Sequence, residues 1–435
     1  RLPAPAGLLL DRERPVGFSF ESTRYRGLAG DTLASALAAN DAWILSRSFK
    51  YHRPRGILTM SGQDANTLVQ LSDEPNVPAD RLAIEEGLEA FGQNYSGSLI
   101  RDRDAFMGRL GRFMPVGFYY RAFFKPRGIW EKFWEPLVRR KAGLGRVDLK
   151  SSASYFDKAY EFCDIAVIGG GPAGLSAALA SAEAGADVLL VDENPVLGGS
   201  LTYARFDIEG TLADNRRAQL VAAVETQPSI KVMTDAVCNG WFADNWLPVI
   251  RGNRLHKVRA RQAILATGSI EQPMIFRNND LPGVMQGTAA QRLIRLYGVR
   301  PGKRAVVLTA NAHGYGVALD LIEAGVEVAT VADLRPTQGD SAMAEAVAAR
   351  TAEVEASTAQ VMEMAVEAFR EEGAKGRKQR KEAAPAAATG AFSFSAKKAA
   401  PAAAPAGLAG FQALSTAPAA APVAAPPPAT VTAPQ

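Results

Sequence analysis

The sequence has very little cysteine and histidine, and this scarcity excludes several classes of site. Its 435 residues contain two cysteines, Cys163 and Cys238, and three histidines, His52, His256 and His313. Two thiols cannot build a disulfide framework or a four-thiolate cluster, and a low cysteine content suits the reducing cytoplasm, where we expect this protein. The histidines lie far apart in the sequence. We therefore predict no metal site and no catalytic residue within this chain.

Long apolar runs and a large excess of charge are also missing. No apolar stretch approaches the ~20 residues that a membrane span needs, so we expect no membrane segment. The net charge of +4 is small for this length, and no nucleic-acid-binding motif accompanies it, so we expect no nucleic-acid partner. The hydrophobic fraction of 47% is typical of a globular chain, and the length suits two or three domains.

Residues 164–193 carry the most informative motif, which reads as a strand, a glycine turn, a helix, a second strand and an acid. Gly169 permits the sharp turn, Gly171 lets the backbone approach a pyrophosphate, and Gly174 allows the helix to pack closely on the strand. The helix N-terminus offers free N–H groups and a positive dipole end to phosphates. Asp192, at the end of the second strand, is placed to bind the adenosine ribose. This pattern predicts a dinucleotide site.

A further strand belongs to the same predicted domain. The run at 261–266 is apolar towards its end and is followed by Thr267 and Gly268. In folds with two dinucleotide-binding domains, a strand of this type returns beneath the cofactor and leads to the second domain. Its position downstream of the glycine turn supports the prediction.

A second, degraded copy of the motif follows at 304–333. Gly314 and Gly325 repeat the eleven-residue spacing between the last glycine of the first turn and the glycine that ends its helix. Thr309 and Asn311 stand where the first copy has its two phosphate-facing glycines. Because a Cβ at both positions would crowd a pyrophosphate, we predict that this copy binds a dinucleotide poorly or not at all.

The N-terminal part, residues 15–80, is predicted to be a ferredoxin-like β-grasp module. The predicted elements are a hairpin at 17–26, a helix at 30–40 capped by Asp31 or Thr32 and by Asn40, a basic loop at 47–56, and strands at 57–60 and 67–71. In a true ferredoxin the loop after the helix supplies clustered thiolates. This stretch has no cysteine, so no cluster can form by that route. His52 in the loop either contacts a partner or a flavin phosphate, or faces solvent.

The remaining regions are a connector and a tail. Residues 81–160 are rich in aromatic and basic side chains, which we expect to pack over another domain rather than to bind nucleic acid. After a helix predicted at 342–372, the chain is dominated by alanine and proline, and we expect disorder because it has too little apolar bulk to offset the ordering entropy.

The predicted fold class is α/β combined with α+β: the β-grasp module precedes a glutathione-reductase-like pair of Rossmann domains and a disordered tail. The predicted domains are a β-grasp module without cluster cysteines at 15–80, an aromatic and basic connector at 81–160, a dinucleotide-binding domain at 161–275, a degraded nucleotide-binding-like domain at 276–340, and a helical then Ala/Pro-rich tail at 341–435.

Three stretches resemble the α subunits of heterotetrameric sarcosine oxidases. They are residues 18–37, the specific phrase Phe-Lys-Tyr-His-Arg-Pro-Arg-Gly at 49–56, and residues 165–201. The resemblance covers roughly residues 15–340. The family's C-terminal half, which looks like an aminomethyltransferase and handles folate, has no counterpart here, and we expect a fragment, a truncated product or a fusion.

The resemblance implies a complex of α, β, γ and δ subunits. Such a complex oxidatively demethylates sarcosine to glycine with oxygen, and it yields hydrogen peroxide with formaldehyde, or with methylenetetrahydrofolate when tetrahydrofolate is present. The α subunit holds a tightly bound NAD of no established redox role. An FMN lies at the interface with the β subunit, and FAD belongs to the β subunit, not to this chain.

The predicted cofactor-binding residues combine the motif with the resemblance. The resemblance implies NAD contacts at Ala173, Asp192, Glu193, Asn194, Ser200 and Val237. The full predicted set is Gly169, Gly171, Ala173, Gly174, Asp192, Glu193, Asn194, Gly199, Ser200, Val237, Thr267 and Gly268.

Two other interpretations stay open. In the first, the chain is the α subunit of a related amine or opine oxidase or of a hydrogen cyanide synthase, although those often retain cysteines near the ferredoxin-like module. In the second, it is a non-catalytic scaffold with a vestigial nucleotide site.

Overall fold

A computed structural model describes residues 1–114, 117, 123, 125, 127–152, 155–335 and 342–351. All of them belong to the first of two compact units, residues 1–375. The predicted Ala/Pro-rich tail and most of the helix predicted at 342–372 lie outside the described residues.

The N-terminal module contains a five-stranded mixed sheet, a separate pair of short strands, β3 and β4, and the helix α1. Its strands have the order β2-β1-β7-β5-β6, and β1 pairs antiparallel with β2 and parallel with β7. The elements are β1 (Asp11–Phe20), β2 (Thr23–Ala29), α1 (Leu33–Ala39), β3 (Ser46–Arg47), β4 (Pro54–Arg55), β5 (Leu68–Gln70), β6 (Val77–Pro78) and β7 (Leu88–Gly92). The sheet therefore extends past residue 80, where the predicted module ended.

Local signals explain where α1 begins and why one predicted strand is absent. The Thr32 hydroxyl accepts a hydrogen bond from the Ser35 N–H, and the Ser35 hydroxyl accepts one from the Thr32 N–H, which makes a reciprocal cap. The strand predicted at 57–60 does not form. The backbone N–H groups of Leu58 and Thr59 donate to the Asp64 carboxylate, so a side chain takes the place of a neighbouring strand.

The first dinucleotide-binding domain contains a six-stranded sheet in the order β10-β9-β8-β13-β12-β11. Its elements are β8 (Asp157–Ile168), α3 (Pro172–Glu183), β9 (Val188–Val191), α4 (Leu212–Glu225), β10 (Ile230–Met233), β11 (Ala236–Cys238), β12 (Trp246–Arg251) and β13 (Arg254–Leu265), after α2 (Glu135–Ala142) in the connector. Strand β13 runs parallel to β8 along its whole length. This is the predicted strand that returns beside the glycine turn.

The second copy has the predicted strand, helix and strand. Its elements are β14 (Arg304–Thr309), α6 (His313–Glu323) and β15 (Glu327–Asp333), flanked by α5 (Gly287–Arg295) and α7 (Ala342–Ala348). Strands β14 and β15 pair in parallel. Helix α6 packs its apolar side chains, Leu319 and Tyr315 among them, against the core of this copy. Helix α5 contributes to two cores, with Ile294 in that of the second copy and Leu293 in that of the N-terminal module.

A buried ionic network joins the two copies. Arg205, which is only 1% exposed, donates to the carboxylates of Asp320 at 3.0 Å and Glu323 at 2.6 Å on α6. Gln291 on α5 donates to the other Asp320 oxygen at 2.7 Å. Because a buried charge without its partner is strongly destabilising, this network fixes the loop around residue 205 to the second copy.

The described aromatic residues of the connector are exposed or half-buried. The rings of Phe113 and Phe133 are 65% and 53% exposed, whereas Trp134 is half-buried and packs against Phe123 and edge-on against Phe133. That these rings pack over another domain stays a prediction. Phe118, Tyr119, Tyr120 and Phe124 lie outside the described residues. Among the helices of the described part, none combines the length and apolar character of a membrane span.

Candidate dinucleotide site

The glycine turn between β8 and α3 brings three backbone segments into close approach. Gly169 has a φ of +109°, and a Cβ there would lie 2.2 Å from the Ala266 carbonyl oxygen at the end of β13. A Cβ on Gly174 would lie 1.7 Å from the Gly169 carbonyl oxygen. Both positions therefore require glycine for packing within the protein. Helix α3 starts immediately after Gly171, so its first turn, with Ala173 exposed, points its N–H groups out of the turn.

Gly171 is less crowded than Gly169 and Gly174. A Cβ on Gly171 would make only an ordinary van der Waals contact, 3.8 Å from the Cα of Gly199. Gly199 begins a short helix, Gly199–Thr202, that includes Ser200. The Gly198 N–H donates to the Gly170 carbonyl at 2.8 Å and anchors this segment to the turn. Packing within the protein therefore does not require glycine at 171, unlike at 169 and 174.

Asp192 ends β9 directly opposite the turn. One of its carboxylate oxygens accepts the Gly170 N–H. The other accepts the backbone N–H of Asn194 at 2.7 Å and its side-chain amide at 2.9 Å. The carboxylate is buried and is held at the edge of the sheet where the adenosine ribose is bound in Rossmann folds.

The remaining predicted residues surround this edge. The Ala236 N–H donates to the Asp192 carbonyl at 3.0 Å, which places Val237 in the strand beside it. Thr267 and Gly268 follow β13, at the point where the Ala266 N–H donates to the Ile168 carbonyl at 2.8 Å. The structure therefore brings the predicted residues of the turn, of 192–194, of 199–200, of β11 and of 267–268 to one end of the sheet.

One residue at this edge was missed by the sequence analysis. Arg81, from the N-terminal module, places a guanidinium nitrogen 3.0 Å from a carboxylate oxygen of Glu193. The two residues are 112 positions apart. No local pattern in the sequence marks Arg81, so only the fold could reveal this contact.

The two cysteines belong to the domain but not to the site. Both are free thiols. Burial, together with the charge of Asp187, raises the pKa of Cys163 to about 11. Its thiol therefore stays protonated near neutral pH, and a protonated thiol is a poor nucleophile.

The loop where a ferredoxin carries its cluster ligands is held by side-chain polar contacts. Arg47 is buried and donates to the carbonyls of Leu99 at 2.6 Å and of His52 at 2.7 Å. His52 is 2% exposed, and its Nδ1 lies 2.7 Å from the Asp102 carboxylate. Asp102 also accepts the N–H of Ser96 at 2.9 Å. His52 thus has a buried acidic partner within the chain, and the interpretation as a solvent-facing histidine is wrong.

Two family models match the chain. One describes a 2Fe-2S iron-sulfur cluster binding domain and matches residues 13–95. The other describes an FAD dependent oxidoreductase and matches residues 164–241. The first match fits the β-grasp fold but not the cluster, because residues 13–95 contain no cysteine to supply its thiolates.

Comparisons with individual proteins are more specific. The sarcosine oxidase alpha subunit of Rhizobium meliloti (strain 1021) is 40% identical to this chain over 352 residues, which are 76% of the chain. That of Corynebacterium sp. (strain P-1) is 30% identical over 372 residues, or 80% of the chain. Over this aligned part, the chain is homologous to the sarcosine oxidase alpha subunits. It spans only 35% and 34% of the lengths of these two relatives.

More distant proteins share parts of the fold. An opine oxidase subunit of Agrobacterium tumefaciens (strain Ach5) is 30% identical over 189 residues, which are 40% of this chain and 37% of the relative. The crystal structure of L-proline dehydrogenase from P. horikoshii matches with a TM-score of 0.52 and 23% identity, over 74% of this chain and 55% of that one. The latter likeness shows a shared fold.

Proposed function

We propose that this chain is the dinucleotide-binding part of the α subunit of a sarcosine oxidase, and that its ligand is NAD. The observation that carries the proposal is the glycine turn at the start of α3, where the Gly170 N–H donates to the buried Asp192 carboxylate at the end of the next strand. The proposed contacts are those predicted: Gly169, Gly171, Ala173, Gly174, Asp192, Glu193, Asn194, Gly199, Ser200, Val237, Thr267 and Gly268.

Each part of the site has a separate task in this proposal. The N–H groups at the start of α3 hold the pyrophosphate, and Gly171 admits it. Asp192 accepts hydrogen bonds from the ribose hydroxyls, while its bonds to Gly170 and Asn194 keep it oriented. NAD, when bound, supplies a nicotinamide that can accept a hydride. The chain itself contributes binding and orientation, and we propose no catalytic residue in it.

The complex follows from the family. We propose that the chain works with β, γ and δ subunits, which together demethylate sarcosine to glycine with oxygen as the acceptor and hydrogen peroxide as a product. In this proposal the FAD resides in the β subunit, FMN lies at its interface with this chain, and tetrahydrofolate is handled by the complex. The two free thiols support a cytoplasmic location.

A second ligand is favoured by one comparison. The match of residues 164–241 to an FAD dependent oxidoreductase makes FAD the alternative occupant of the same turn, since both cofactors share the adenosine diphosphate half. An α subunit of an opine oxidase remains the alternative family assignment, supported by the 30% identity over 189 residues.

The first test is to identify the nucleotide released from the purified chain by denaturation, with chromatography and mass spectrometry. Stoichiometric NAD supports the proposal, and FAD favours the alternative. A chain that is empty and binds neither nucleotide on reconstitution would overturn it and would favour the scaffold interpretation. Co-expression with a sarcosine oxidase β subunit then tests the complex, because peroxide production from sarcosine should require both chains.

A further inference from the structure

The N-terminal module reaches the adenosine end of the candidate site through one side chain. Arg81 follows β6, and its guanidinium is 3.0 Å from the Glu193 carboxylate at the end of β9. The side chains are 42% and 41% exposed, so a ligand in the groove has access to both. Neither side chain has another hydrogen bond or ion pair among the described residues that would commit it elsewhere.

The two consecutive acids at this edge are held in different ways. Asp192 is 6% exposed and is bound to the turn and to Asn194. Glu193 lies at the rim, and Arg81 is its partner. In Rossmann sites an acid here binds the ribose hydroxyls of NAD, whereas an arginine here accommodates the 2′-phosphate of NADP. This chain has both kinds of residue, and each neutralises the other.

We propose that Arg81 and Glu193 form a specificity pair that sets the preference of the site for a dinucleotide without a 2′-phosphate. While Glu193 occupies the Arg81 guanidinium, the phosphate meets the negative charges of Asp192 and Glu193, and Arg81 is already paired with an acid. When the Glu193 charge is removed, Arg81 becomes a phosphate-binding group of the kind that favours planar, multiply hydrogen-bonded anions. This inference rests on the proposed function, because it requires an adenine dinucleotide at the site.

An ordinary surface ion pair would behave differently. Such pairs contribute little to stability, and removing one would leave the ratio of NADP to NAD affinity unchanged. If the two residues form a specificity pair, that ratio should change instead. Loss of the Glu193 charge should raise the affinity for NADP relative to NAD, and this gain should require Arg81.

The test compares four forms of the full chain: the wild type, Glu193→Gln, Arg81→Ala and the double variant. Dissociation constants for NAD and for NADP are measured by calorimetry. We expect the wild type to favour NAD. Glu193→Gln should strengthen NADP binding about tenfold while NAD binding changes less than about threefold, since one charge-assisted phosphate contact is gained. The double variant should lose this gain.

Two further measurements exclude unspecific effects. Arg24→Ala removes an exposed arginine of β2 in the same module and should leave both dissociation constants unchanged. The NADP gain of Glu193→Gln should shrink as salt is raised, because exposed charges are screened. Thermal melting checks that every variant is folded.

The outcomes separate the inference from the proposed function. If NADP and NAD affinities keep their ratio in Glu193→Gln, or if the gain persists in the double variant, the specificity pair is wrong although the site still binds a dinucleotide. If none of the four forms binds either dinucleotide, both the proposed function and the inference fail.

Discussion

The two glycine turns of this chain share a close approach of the helix to its strand and differ at the two preceding glycine positions of the motif. In the first, a Cβ on Gly174 would meet the Gly169 carbonyl oxygen at 1.7 Å, and in the second, a Cβ on Gly314 would meet the Thr309 side chain at 2.3 Å. Both helices therefore approach their strand too closely for any other residue. The other two glycines of the motif have diverged, because Thr309 and Asn311 stand in the second copy where the first has Gly169 and Gly171.

The two residues that stand in place of these glycines bond to each other. The Thr309 hydroxyl donates to the Asn311 carbonyl at 2.9 Å and accepts the Asn311 N–H at 3.2 Å. At the end of the second strand, Asp333 accepts from Tyr315 at 3.0 Å and from Arg335 at 2.6 Å, whereas Asp192 binds the backbone N–H groups of Gly170 and Asn194. The comparison teaches that the βαβ scaffold and its ligand site depend on different glycines of one motif.

Substitution of the packing glycines should have the largest effect. Gly174→Ala must displace a backbone carbonyl, and we expect a loss of about 3 kcal/mol in the free energy of unfolding. Gly314→Ala would place its Cβ 2.3 Å from the Thr309 Cβ, an atom that side-chain rotation cannot move, and should cost about as much. Urea denaturation measures both. Gly185→Ala is the control, because a Cβ there meets no atom within 4 Å and only the φ of +86° is strained. A loss at 174 or 314 no larger than that of the control would contradict this prediction.

Substitution of Gly171 should separate binding from folding. The φ of Gly171 is −77° and an added Cβ would make only an ordinary van der Waals contact at 3.8 Å, so Gly171→Ala should change the free energy of unfolding by less than about 0.5 kcal/mol. Because the added Cβ occupies the path of the pyrophosphate, the affinity for the dinucleotide should fall about tenfold or more. Calorimetric titration checks this. The reverse change in the second copy, Asn311→Gly, should create no binding. Unchanged affinity in Gly171→Ala would mean that the ligand does not pass this turn.

The smallest effect is expected from the acid of the second copy. Hydrogen bonds from Arg335 lower the pKa of Asp333 below its ordinary value of 3.8. A lowered folded-state pKa stabilises the protein above the unfolded-state value, and this contribution is lost as the pH falls through the folded-state pKa. Arg335→Gln should therefore lower the melting temperature slightly at pH 7, and the difference from the wild type should vanish in strong acid. Arg304→Gln, on an exposed ion pair of β14, is the matched control. A difference that grows in acid would refute the assigned role.

The sequence predicted the elements whose signals are local. The strand, turn, helix and strand at 164–193 follow from apolar runs and glycines at fixed spacing, and the structure forms β8, α3 and β9 there. The helix α1 was predicted from its caps, with Asp31 or Thr32 at the start and Asn40 at the end, and the observed caps are Thr32 and Asn40. Local backbone chemistry determines such elements, so a single sequence is sufficient to place them.

Features that depend on long-range contacts could not be predicted. The strand predicted at 57–60 was lost to the carboxylate of Asp64, and the burial of His52 depends on Asp102, fifty positions away. The Arg81–Glu193 pair joins two domains. In each case the deciding partner is a polar side chain whose position depends on the complete fold, and no periodicity in the sequence reports it.

The polar contacts around Arg47, His52 and Asp102 also bear on how this protein is made. A loop shaped by an inserted cluster is finished only when iron and sulfide have been delivered by other proteins. Here the equivalent loop is shaped by side chains that are present as soon as the polypeptide leaves the ribosome. We therefore expect the yield of this module in iron-starved cells to equal that in iron-replete cells.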